Sequence, residues 1–82
     1  FSPVNDYQAQ KESQKELRKL MRQIESLETE IEELEVQSQA ISELMHTTND
    51  ADELMQLQAE LDKISQRQEE AMLEWEELSE KV

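Results

Sequence analysis

The chain has no glycine and no cysteine, and its one proline is Pro3. Without glycine it cannot build the loop that cradles a nucleotide's phosphates, so the phosphate-binding motifs of ATPases are excluded from it. Without cysteine there is neither a disulfide nor a thiolate metal site, a usage that suits a reducing compartment. Past Pro3 almost nothing interrupts a helix. Aromatic residues number only three, Phe1, Tyr7 and Trp75. Apolar residues make up 35% of the chain, too few for a globular core but enough for a narrow seam between helices. No apolar run is long enough to span a membrane, and no signal-peptide pattern is present.

What the chain does hold is acid. Eighty-two residues carry a formal charge of -13, and Glu, Gln and Leu, all good helix formers, dominate. Against that background, five of the eight basic residues gather near one end: Lys11, Lys15, Arg18, Lys19 and Arg22. The chain opens on "FSPV" without Met, which reads as the start of a piece cut from a longer protein. Catalysis has little to stand on. The single His46 falls where the first apolar repeat ends, a placement that suits a helix C-terminus better than a metal site. Asp50, Asp52 and Glu53 lack the glycine and the spacing of a calcium loop and suit a helix cap instead.

Apolar residues recur at alternating three- and four-residue steps. They are Leu17, Leu20, Ile24, Leu27, Ile31, Leu34 and Ile41 in the first half, interrupted by Ser38. In the second half they are Leu54, Leu57, Leu61, Ile64, Ala71, Trp75, Leu78 and Val82, interrupted by Gln68. Each half is a heptad seam. Between them "HTTNDAD" favours a turn, and Asp50 followed by Glu53 is a variant capping box. The expected fold is therefore all-α, a two-helix antiparallel coiled-coil hairpin. Its expected parts are a linker over 1–5, a helix over 6–45 capped by Asn5 with Gln8 in the reciprocal position, a turn over 46–50 and a helix over 51–82.

Antiparallel seams permit two alignments one heptad apart, with Trp75 level with Leu20 or with Leu27. The first leaves a loop of about six residues, a common length for helix–helix connections, and the second is expected to leave no loop at all. It also sets Glu16 near Lys81, Glu30 near Arg67 and Met21 near Met72. The second sets Glu30 against Glu74 and Met72 against Glu28. The first is the expected register. It predicts layers such as Leu17–Leu78, Ile24–Ala71 and Ile41–Leu54, with Trp75 in the seam and Met45, Met55 and Leu73 off it.

On this heptad Lys11 and Arg18 take b positions, Lys15 and Arg22 f, and Lys19 c. They form a stripe on the back of the first helix, with Glu12 and Glu25 placed to pair with them at i,i+3. Residues 6 to 12, Tyr7 among them, are expected to overhang the second helix. Two readings are open: a solvated face with local ion pairs, or a docking patch for an acidic protein surface or a phosphate backbone.

The run "SPVNDYQAQKESQKELRKLMRQIESLETEIEELE", followed by an Asp-capped turn and "ELMQLQAELDKISQRQEEAMLEWEELSE", resembles the C-terminal coiled-coil domain of ABC-F ATP-binding cassette proteins. Its most specific parts are Tyr7, Lys11, Lys15–Glu16 and Arg18–Lys19, then Trp75–Glu76–Glu77–Leu78. Family members often carry Pro after the turn's capping Asp, where this chain has Ala51. The resemblance implies a cytoplasmic parent with two ATPase cassettes, which use ATP and Mg, while this chain holds no cofactor and no catalytic residue. It implies contact with the ribosome or with the parent's own cassettes, in translation regulation or resistance to ribosome-targeting antibiotics. The residues expected to make that contact are Tyr7, Lys11, Lys15, Arg18, Lys19 and Arg22. Some relatives have been linked to DNA binding, which in this chain only the basic stripe would serve. The other class of reading is a structural or self-associating coiled coil of a cytoskeletal or chromosome-associated protein. No membrane partner is expected, and the chain by itself is expected to be a monomer or weak homodimer.

Overall fold

The computed structural model describes residues 3–82, with side chains from Gln10 onward. Two helices make up the fold: α1, Pro3–Thr47, and α2, Ala51–Glu80. They pack antiparallel into a rod of 73 × 14 × 14 Å. At about 1.5 Å per residue, α1 alone accounts for roughly 67 Å of that length.

α1 starts earlier and ends later than the expected 6–45. Pro3 is tolerated in a first turn, where its missing N–H would have had no partner, so the helix reaches back past Asn5. Asn5 is an interior position and not the cap. Phe1 and Ser2, the rest of the expected linker, lie outside the described residues. At the other end, the hydroxyls of Thr47 and Thr48 both donate to the carbonyl of Leu44, at 3.1 and 2.7 Å. These bonds satisfy a carbonyl the helix leaves open and let α1 run to Thr47.

The connection is then only residues 48–50. Asp50 caps α2 from an extended conformation (φ -82, ψ 124). Its carboxylate accepts from the Asp52 N–H at 3.0 Å, and its carbonyl from the Leu54 N–H at 3.0 Å. Asp52 and Glu53 in the first turn complement the helix dipole. α2 closes at Glu80, with the Lys81 N–H donating to the Leu78 carbonyl.

The register is the second alignment, one heptad from the expected one. The Gln68 amide donates to Glu35 at 3.2 Å and the Trp75 indole to Glu28 at 3.1 Å. Both contacts set Trp75 level with Leu27 and Gln68 level with Leu34. Had Trp75 stood level with Leu20, Gln68 would lie about 12 Å along the axis from Glu35, beyond reach. The grooves beside the seam agree: one is lined by Gln23, Ser26, Leu27, Glu74, Glu77 and Leu78. Burial agrees as well. Every described residue from Gln10 to Lys19 is exposed, and Leu20 is the first half-buried one. Leu17, expected under Leu78, is 41% exposed. Met45, expected off the seam, is half-buried, as its new place beside Leu57 requires.

Three physical reasons favour this register. It gives the Gln68 amide and the Trp75 indole a carboxylate each. Its three-residue turn is sufficient because the loop only has to rise past the end of α1. The expected repulsion between Glu30 and Glu74 is cancelled by Arg67, which bonds Glu30 through two nitrogens and lies 3.7 Å from Glu74 and 3.6 Å from Glu70. Leu27 and Ala71 are the buried centre of the seam, at 7% and 0% exposure. Met21 and Met72, expected to meet, are both exposed.

Candidate interaction surface

In this register α2 runs out near the level of Arg22, so α1 projects beyond it as a single helix. Lys11, Lys15, Arg18 and Lys19 sit on that projection, and Arg22 sits at its root. All five side chains are exposed. The overhang is about a heptad longer than the expected residues 6 to 12. Its seam positions are Gln10, Ser13 and Leu17, so the projecting face is mostly polar.

The cations stand close enough to share troughs. Lys15, Arg18, Lys19 and Arg22 line a shallow open trough with Gln23 and Ser26. Lys11, Lys15 and Arg18 line a second one with Gln10 and Gln14. Successive b, f and c positions on one helix produce this ridge, because long side chains three and four residues apart splay over the same face. The Tyr7 side chain, expected beside the ridge, lies outside the described residues.

Among the described residues, the ion pairs all converge on Arg67. The local relief expected from Glu12 and Glu25 is therefore not made, and neither is the Glu16–Lys81 pair. Among the described residues, no carboxylate forms an ion pair with the ridge. The hydrogen bonds from Arg67 hold the Glu30 carboxyl below the usual carboxylate range, and the same bonds push the Arg67 guanidinium up. That network is structural: it ties α1 to α2 on the side of the rod, well away from the ridge. Sequence spacing pointed to Glu30–Arg67 but missed Glu70 and Glu74, because it weighed charges in pairs.

No group of described His, Cys, Asp or Glu side chains is arranged to hold a metal ion. His46 lies in the last turn of α1, and Asp50 is occupied as a cap. No helix of the described residues is long and apolar enough to cross a membrane. The surface is suited to binding a partner of opposite charge.

Among curated proteins and among solved structures, nothing matches the chain significantly. A family described as ABC transporter C-terminal domain matches residues 6–80, a span that takes in both seams, the capped turn and the basic ridge. With nearly its whole length so matched, the chain belongs to the ABC transporter C-terminal domain family.

Proposed function

We propose that the chain is the C-terminal arm of an ABC-F type protein, and that it docks through Lys11, Lys15, Arg18, Lys19 and Arg22 onto an anionic surface of the ribosome or of the parent's own cassettes. Tyr7 belongs to the same stretch. The parent's cassettes supply the ATP and Mg chemistry in the cytoplasm, and the arm serves translation regulation or antibiotic resistance by holding a contact, not by reacting. One observation carries this reading: the cations stand on the part of α1 that α2 leaves bare, with no described carboxylate paired to them. Exposed cations that no local acid neutralises raise the rate and strength of encounter with an anionic partner.

The remaining surface supports the same choice. Glu28, Glu30, Glu32, Glu33 and Glu35 would repel a nucleic acid along the body of the rod, which confines any phosphate contact to the ridge. The polar seam face of the overhang, Gln10 and Ser13, offers no continued apolar stripe for an extended structural coiled coil. The chain by itself is then a monomer or a weak dimer.

The test is cosedimentation of the full-length protein with ribosomes after Lys15→Glu, Arg18→Glu and Lys19→Glu together. Binding should fall while the helical signal of the hairpin is retained, and wild-type binding should weaken steeply with added salt. Undiminished cosedimentation of the triple variant would remove the proposal.

A further inference from the structure

The seam does not choose strongly between its two registers. Polar seam residues usually pin a coiled coil because only one alignment satisfies them. Here Gln68 stands level with Leu34 in the observed register and would stand level with Leu27 one heptad away. Ser38 likewise stands level with Ile64 or with Leu57. Each polar residue meets an aliphatic one either way. The apolar layers also nearly balance. Sliding α2 toward the N-terminal end of α1 gives up Met45–Leu57 and gains Ile31–Ile64, and it lays Leu78 over Leu17, which is now bare. Arg67, already bonded to Glu30, would stand directly beside it after the slide, so the strongest contact across the helices survives.

What separates the registers is peripheral. The observed one has the Trp75–Glu28 and Gln68–Glu35 hydrogen bonds, both exposed. The slid one needs the last turn of α1 to unwind. That turn holds His46 and Thr47, both middling helix formers, and its end is held by exposed threonine hydroxyls on the Leu44 carbonyl. Two packings of one sequence that differ by only a few exposed contacts make a bistable element.

We propose that the hairpin occupies two registers one heptad apart, and that the slide sets how much of the basic ridge stands clear of α2. Sliding moves α2 by about 10.5 Å along α1. The bare part of α1 then shrinks to the residues before Ser13, and Glu76, Glu77 and Glu80 come level with the ridge. A partner that grips the exposed ridge binds the observed register better and draws the population toward it. The regulatory half of this proposal rests on the ridge being a docking surface; the slide itself does not.

The chain has no native cysteine, so engineered pairs report register directly. Ser38→Cys with Ile64→Cys reports the observed register and Ser38→Cys with Leu57→Cys the slid one. Ser38→Cys with Ala71→Cys reports the opposite slide, which the turn is too short to allow. Each pair is scored for intramolecular crosslinking in this chain, as a disulfide under mild oxidation and with dibromobimane as a slightly longer bridge. The first pair should crosslink fastest and the second more slowly but well above the third. Glu28→Ala with Glu35→Ala should raise the second pair's rate severalfold. Second-pair crosslinking no faster than the third, in both backgrounds, overturns the slide. If the slide holds while the charge-reversed protein still binds ribosomes, only the regulatory half fails.

Discussion

Truncating one leucine in each part of α1 separates the buried seam from the bare overhang. Leu27 is 7% exposed and stands level with Trp75, so Leu27→Ala removes three carbons from the best-covered layer. At about 0.8 kcal/mol per buried carbon the transfer loss is about 2.4 kcal/mol. A cavity term adds to this in closed cores, but a two-helix seam opens to water on both sides, which keeps the total near the low end of the ~2–5 kcal/mol seen for such truncations. A domain of this size loses about 4–8 °C of melting temperature per kcal/mol, so the expected drop is about 10–20 °C. Leu17 is 41% exposed on the overhang, and alanine is the better helix former. Leu17→Ala should therefore change stability by no more than about 0.5 kcal/mol, a shift of a few degrees at most. Thermal melts followed by circular dichroism at the helical minimum, run on both variants, read the difference. A Leu17→Ala melt lowered as far as the Leu27→Ala melt would refute the register and the overhang together.

Two further perturbations probe the turn and the clamp. Asp50→Ala removes the carboxylate that accepts from the Asp52 N–H and should cost about 1 kcal/mol, with Asp50→Asn retaining most of it; equal melts for all three proteins would count against the cap. Glu30 has a lowered folded-state pKa, so its contribution is present above the ordinary carboxylate range and is lost as pH falls through that lowered value. Urea midpoints of wild type and Glu30→Gln should differ at neutral pH and converge in acid, and a gap that persists in acid would contradict the Glu30–Arg67 bond as its source.

Much of this molecule is legible from residue spacing. The heptad positions from Leu20 to Leu78 are all half-buried or buried, Asp50 caps α2, and the five cations face water. Helix boundaries were less legible, because the extension of α1 to Thr47 depends on two threonine hydroxyls folding back onto Leu44. Composition shows those residues as turn formers and not as helix extenders. The register is less legible for a related reason. A loop count favours the other register only if α1 stops before His46, and Glu30 opposite Glu74 is unfavourable only when charges are taken two at a time. Arg67 reaches both. The indole and amide of Trp75 and Gln68 carried the missing signal, since each needs an acceptor and only one register sets a glutamate beside both. For the ridge, sequence placed the cations on the back of α1, but only the register reveals that most of them stand beyond the end of α2.

The central claim is that α1 folds back on α2 and projects past it as a bare basic arm. The most direct measurement is the distance between spin labels at Gln10→Cys and Glu80→Cys, two exposed positions that leave all five cations in place. With Glu80 level with Arg22 and helix axes about 10 Å apart, the backbone separation at the two labels is about 21 Å. A dominant population at that separation is the predicted result. A dominant population at about 12 Å, as the other register demands, or near 105 Å, as a continuous rod demands, would contradict it.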